Sequence, residues 1–317
     1  MYFIGIDLGG TNLRGGAVTM DGHITHSAIK PTHAQQGVEH VIHNLKACID
    51  ELIASQNPSP LLGIGIGCPG IIEIKSGVIH TSPNLPGWND VPLKQIIEEH
   101  FRVPVYIEND ANTIAYGEKW YGAGRTVSSL ICLTLGTGVG GGIILDGKIW
   151  HGCMGMAGEV GHMTIIYDGI TCNCGNRGCL EAYASASALV KRTLELLNEG
   201  HKSTLSHICG KGEEVTAEII YKAAKENDAL SRRILHDIGI YLGIGIATLI
   251  NLLNPEMIVI GGGMSHSWDM FYPSMVEEIR KRAFDIPVKS AQIVRAQLGD
   301  NAGIIGAVAL ISHALPT

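Results

Sequence analysis

No block of like charge, no low-complexity run and no linker-like segment interrupts this chain of 317 residues. Charge itself is sparse. Asp, Glu, Lys and Arg fill 17% of positions, and 23 cationic side chains stand against 30 anionic ones, for a net charge of −7. That balance argues against nucleic acid or an anionic membrane surface as the main partner, because both need a clustered positive field. The basic stretch that opens a secretory signal is missing too. MYFIGIDLGG runs from an apolar strand straight into an acid and two glycines, so a cytoplasmic protein is expected. The long uncharged apolar run over residues 238–255 is broken by Asn251 and the helix-stopping Asn254-Pro255. It therefore reads as a buried core helix and not as a membrane span of roughly 20 residues. The pattern G-x-x-x-x-G-K-[ST] is absent, which excludes a P-loop enzyme.

What is present is apolar and glycine-rich: 45% hydrophobic residues and 41 glycines, the balance of a globular α/β chain with many tight turns. The length suffices for one large or two medium cores. The opening FIGIDLGGTNLRGGAVTMDGHI predicts a strand, a Gly-rich turn, a second strand and an Asp-Gly turn. LICLTLGTGVGGGIILDGKI repeats that plan at residues 130–149, with Leu135 over Leu8 and Gly136 over Gly9. The repeat implies an internally duplicated, two-lobed protein with a hinge between the lobes. Between the repeats the pattern predicts a helix over 38–54, a strand over 62–67, a polar Pro-rich binding loop over 81–92, and a strand over 103–108 leading into a helix over 111–120. Helices from Glu181 and Thr216, the long apolar helix ending near Leu253, and the strand MIVI follow. Strands that open into Gly-rich loops indicate an α/β architecture with ligands bound at the strand ends.

Three segments are candidate phosphate loops: Asp7-Leu8-Gly9-Gly10-Thr11-Asn12, Gly136-Thr137-Gly138-Val139-Gly140, and residues 261–263. Glycine lets backbone N–H groups approach an anion, and a Thr hydroxyl adds a donor without charge. Each alone also reads as a tight hairpin turn. Three in a duplicated chain, with Asp7 placed to hold Mg²⁺, favour a nucleotide. Gly65-Ile-Gly67-Cys-Pro-Gly70 and Gly136-Thr-Gly138-Val-Gly-Gly141 match G-x-G-x-x-G, but strand-like Ile71-Ile72 and Ile143-Ile144 follow where dinucleotide binding needs a helix. His162 with Cys172, Cys174 and Cys179 has the donor set for tetrahedral structural Zn²⁺, the alternatives being a redox C-x-C pair or plain buried cysteines. Cys48, Cys68, Cys132, Cys153 and Cys209 are scattered and read as small core residues. Asp110 ends a strand and precedes a helix, so it reads as an N-cap or as a proton acceptor facing the Gly-rich loops. Glu159 lies in a Gly-flanked loop and Glu181 in a helix's first turn, both near the zinc ligands in sequence.

Residues 135–162, carrying GVGGGI, Gly152 and AGEVGH, and residues 172–185, CNCGNRGCLEAYAS, together resemble the two signatures of the ROK family (repressors, open reading frames, kinases). The likeness covers essentially the whole chain and is greatest to the family's bacterial glucokinases. It implies an actin-like, ribonuclease-H-like pair of α/β lobes closing over a cleft. The lobes are expected at 1–115 plus 304–317 and at 116–303, the second holding the zinc segment. It further implies ATP-dependent phosphorylation of a hexose, D-glucose foremost, with Asp110 as general base. Gly70, Asn84, Asn109, Glu159, His162 and Glu181 would bind the sugar, His162 giving one ring nitrogen to zinc and the other to the sugar. Asp7, Gly9, Gly10, Thr11, Asn12, Thr137 and Gly138 would cradle the phosphates and Mg²⁺, with Gly262 and Gly263 near adenosine. Other hexoses, including fructose, mannose, allose and N-acetylated sugars, and other phosphoryl donors, remain open. So does a sugar-sensing regulator, although those carry an N-terminal DNA-binding domain and here the Asp7 loop lies almost at residue 1. A homodimer or homotetramer is expected.

Overall fold

A computed structural model describes residues 1–56, 58–210 and 214–315. Packing divides the chain into two units: Met1–Cys132, Gly142–Gly158 and Ala296–Thr317 form the first, Leu133–Gly141 and Glu159–Arg295 the second.

The first unit begins as the turn signals dictate. β1 (Tyr2–Leu8) pairs antiparallel with β2 (Asn12–Val18), with Leu8 opposite Leu13, and β2 pairs with β3 (Ile24–Pro31). α1 (Val38–Ser55) crosses back, so β4 (Leu61–Cys68) runs parallel to β1. β5 (Ile71–Glu73), β6 (Val78–Thr81) and β7 (Asn89–Val91) form a small antiparallel sheet, and α2 (Leu93–Phe101) returns the chain to β8 (Val105–Asn109), parallel to β4. The main order is β3-β2-β1-β4-β8. Tyr2, Phe3, Ile4, Ile6 and Leu8 of β1 are all buried, as a central strand covered on both faces requires. Leu45, Ile49 and Leu52 of α1 join one core; Ile304, Val308 and Ile311 of a late helix, α11 (Ala302–Ala314), pack with Phe3 and Val18 in the other. α3 (Asp110–Trp120) follows β8 without a break and packs against α11.

The second sheet repeats the first. β9 (Leu130–Leu135), β10 (Val139–Leu145), β11 (Lys148–Ile149), β12 (Met257–Gly261) and β13 (Gln292–Arg295) lie in the order β11-β10-β9-β12-β13. This is the duplication expected from the Leu8 and Leu135 segments. The strand replacing a helix after each G-x-G-x-x-G match is observed too, as β5 after Gly70 and as the continuing β10 after Gly141. The remaining helices are α4 (Glu181–Ala184), α5 (Ala186–Asn198), α6 (Ser206–Gly210), α7 (Ala217–Lys225), α8 (Ala229–Leu253), α9 (Trp268–Arg282) and α10 (Asp285–Ser290). α8 is the apolar helix of residues 238–255. It is long and apolar enough to cross a membrane, but 61% of its most apolar stretch is buried and it packs along α9. Asp228 caps its start, accepting from Ser231 N at 2.9 Å, and Asn254 ends it in the left-handed region just before Pro255.

Two expectations change. Lobe boundaries at 115/116 and 303/304 fall inside α3 and α11, whereas the observed division keeps both helices whole in the first unit, where they pack on each other. Cys48, Cys68 and Cys132 are buried as expected, but Cys153 is exposed in the loop after β11. The side chain of Cys209 lies outside the described residues.

Candidate active site

In the first unit, β1, β4 and β8 run parallel, so their C-terminal ends share one edge, where Asp7, Asn109 and Asp110 stand with Gly70 in the turn after β4. Asp7 stands one residue from the end of β1. Burial pushes its carboxyl up to about 6, the charge of Asp110 pushes the same way, and Arg14 opposes both. Its side chain lies against Gly303 in the first turn of α11, where any β-carbon would sit 2.8 Å from the carboxyl carbon. Sequence reasoning missed Gly303, because one glycine in an apolar helix carries no signal. In the turn after β1, Gly9 N donates to Asn12 O at 3.0 Å, while Thr32 donates from its hydroxyl to Gly9 O and from its amide to Thr11 O. Thr11 and Asn12 are exposed at the tip. A β-carbon on Gly10 would lie 2.8 Å from Asn84 O, so the turn after β1 and the Pro-rich loop touch. Gly70 occupies φ +124 beside Thr81 and Ser82, next to that same loop.

At the end of β8 the capping expectation changes hands. Asn109 caps α3, its Oδ1 accepting from Ala111 N at 3.0 Å and Asn112 N at 3.2 Å. Asp110 is the first helical residue, with Oδ1 accepting from Ala111 N at 2.9 Å. Asp110 is thus a carboxylate at the positive end of a helix, close enough to Asp7 and Cys68 for its charge to raise both groups. One residue earlier, Glu108 is wholly buried and bonded to His151, a pair that sequence reasoning did not find.

In the second unit the donor geometry is compatible with the expected Zn²⁺. One ligand atom from each of His162, Cys172, Cys174 and Cys179 lies within 4.8 Å of all the others. Cys174 and Cys179 Sγ are 3.7 Å apart and Cys172 Sγ lies 3.8 Å from His162 Nδ1. Bonds of about 2.3 Å to sulfur and 2.0–2.1 Å to nitrogen make tetrahedron edges of roughly 3.6–3.8 Å, so the residues fit the ion. Burial raises the Cys172 and Cys179 thiols, Cys179 to about 12, so thiolates there call for a cation. Gly175 and Gly178, at φ +90 and +76, make the turn. With Nδ1 toward the sulfurs, Nε2 of His162 faces the other way, 3.9 Å from Glu159 Oε2. Glu159 is exposed. Glu181, in the first turn of α4, accepts from Val139 N at 2.9 Å through Oε2 and stands 3.9 Å from Cys172 Sγ through Oε1. A β-carbon on Gly138 would sit 2.3 Å from Glu181 Oε2, so glycine there is what admits the carboxylate to the turn. Thr137 in the same turn opens a groove of about 630 Å³ along α5 and the start of α7, lined by Val190, Lys191, Leu194 and Val215. Gly262, at φ +81, abuts Leu135 at the end of β9, and Gly263 begins a single helical turn; neither lines that groove.

A model of the ROK family matches residues 3–314. A glucokinase of Halalkalibacterium halodurans is 40% identical over 308 residues, 96% of this chain and 93% of that protein. Among solved structures, a ROK family glucokinase from Streptomyces griseus in complex with glucose and AMPPNP superposes with a TM-score of 0.84 at 32% identity, covering 98% of this chain and 99% of its own. A ROK family transcriptional regulator, a homologue of the Escherichia coli MLC protein, superposes with a TM-score of 0.90 at 29% identity, covering 99% of this chain and 78% of its own.

Proposed function

This chain belongs to the ROK family, and from that premise we propose that it transfers the γ-phosphoryl group of ATP to the 6-hydroxyl of a hexose, D-glucose first. The observation that carries the reading is the pair of carboxylates at the ends of β1 and β8. Asp110 sits at a helix start as proton acceptor, and Asp7, desolvated and repelled by it, is a carboxylate that a cation would relieve. The glucokinase relatives support both the sugar and the donor.

Asp110 takes the proton of the 6-hydroxyl as that oxygen attacks the γ-phosphorus, and ADP leaves. The work is positioning and charge neutralisation. Asn109 spends its Oδ1 on the cap of α3, so it meets the sugar as a donor through Nδ2. Asn84 from the Pro-rich loop and Gly70 from the turn beside it flank the sugar, and Glu159, Glu181 and His162 Nε2 bind further hydroxyls. Gly9, Gly10, Thr11, Asn12, Thr137 and Gly138 present amides and hydroxyls to the phosphates, and Gly262 and Gly263 lie near the adenosine. Mg²⁺, when bound at Asp7, neutralises phosphate charge; Zn²⁺, when bound by His162, Cys172, Cys174 and Cys179, fixes the segment that carries the sugar ligands.

The test is a coupled assay with MgATP over glucose, mannose, fructose, N-acetylglucosamine and N-acetylmannosamine. A kcat/KM for glucose at least tenfold above the others is expected; preference for another sugar corrects the substrate and keeps the chemistry. The TM-score of 0.90 to a transcriptional regulator favours a second reading, a sugar sensor. Sugar binding without turnover would establish that instead.

A further inference from the structure

Glu108 is the one residue at the β8 tip that the proposed chemistry does not use, and it is the most deeply buried. A carboxylate taken out of water is expensive unless every oxygen is matched by a donor. Here each one is. Oε1 accepts from the Asn109 amide at 2.9 Å and from Asn112 Nδ2 at 3.1 Å, and Oε2 takes His151 Nε2 at 2.7 Å. Among the described residues Asn112 Oδ1 is buried with no hydrogen-bond partner, and Glu108 is the group that orients that amide. The carboxylate therefore grips the first turn of α3 at two points, on either side of Asp110.

Its third partner comes from elsewhere in the chain. His151 starts the run 151–158, closed on itself by Ala157 N donating to His151 O at 3.2 Å, and Glu159 is the next residue. The Glu108 carboxylate holds His151 above the usual histidine range. For packing alone, an apolar pair of like volume would serve as well or better. What an apolar pair cannot do is fix the direction of neighbouring amides.

We propose that Glu108 and His151 are positioning residues for phosphoryl transfer, fastening the Asn109–Asp110 tip to the run that leads into Glu159. This rests on the kinase reading above. The experiment compares His151→Ala, His151→Gln, whose amide can still donate to the carboxylate, and Glu108→Gln, which removes the charge. Each is assayed for kcat, KM for glucose and KM for MgATP, with glucose affinity by calorimetry without nucleotide and a thermal midpoint. His151→Ala and Glu108→Gln should lose about tenfold to a hundredfold in kcat and bind glucose at least fivefold more weakly, with KM for MgATP unchanged. His151→Gln should recover most of both. A lowered midpoint in His151→Ala with kcat and glucose affinity intact overturns the proposal, as does His151→Gln behaving like Ala. If the wild type binds glucose without phosphorylating it, the kinase reading falls, and the calorimetric comparison still decides the pair. A wild type that neither binds nor phosphorylates any sugar of the panel overturns both.

Discussion

Asp7 and Asp110 are the same residue at the ends of parallel strands, yet their surroundings prepare them for different work. Asp110 lies at the start of α3, where helix amides favour negative charge, as a base needs before it takes a proton. Replacing it with Asn keeps the shape and removes the basicity. Asp110→Asn should cut kcat by about 10²–10⁴-fold while calorimetric glucose affinity stays within about threefold; near wild-type kcat would show that another group takes the proton. The sequence located Asp110 at the junction of strand and helix but could not assign the cap, since Asn and Asp cap almost equally well and only the backbone turn decides between neighbours. Glu108 was illegible for another reason. Its partner His151 is 43 positions away, and neither residue stands in a pattern.

At the scale of elements, the strands and turns of both repeats were readable because alternation and Gly-rich turns are local signals. The His162, Cys172, Cys174 and Cys179 cluster was readable because the spacing of its cysteines is local too. The partition of the chain was not, since it depends on which helices pack together, and α3 and α11 meet only in the fold. The Cys172–Cys179 turn has no regular hydrogen-bonded element beyond isolated bridges such as Thr164 with Cys179. Cys172 N donating to Asn176 O at 2.8 Å and Gly175 N donating to Cys172 O at 3.0 Å tie it, and on the proposed reading a bound Zn²⁺ adds to that support. A Cys174→Ser variant, altering an exposed ligand, should lose stoichiometric zinc by metal analysis and bind glucose about 10–100-fold more weakly, because His162 and Glu181 flank the cluster. Metal-free protein with unchanged glucose affinity would refute that link.

For the whole molecule, Asp7 writes a pH dependence into folding. Its carboxyl is raised to about 6, against roughly 3.9 in an unfolded chain. The native state therefore holds the extra proton between those values. The stability this contributes is complete below about pH 4 and is lost as pH rises through 6. At pH 7–8 an Asp7→Asn variant, which mimics the protonated form, should be more stable than wild type by up to about 3 kcal/mol, with the gap closing near pH 4. Urea unfolding across that range would show it, and parallel curves for the two proteins would contradict it. On the proposed reading, the wild-type residue gives up fold stability for a charge that phosphoryl transfer uses.

The place of α11 in the first unit bears on how the protein is made. β1, β2 and β4 leave the ribosome early with the face that Phe3 and Val18 present still bare. Their cover, Ile304, Val308 and Ile311, is translated only after the whole second unit. At about 5–20 residues per second that interval lasts roughly 10–50 s. At its end the first unit is still a half-finished sandwich with an adhesive apolar surface, while the second already has every residue of its own core.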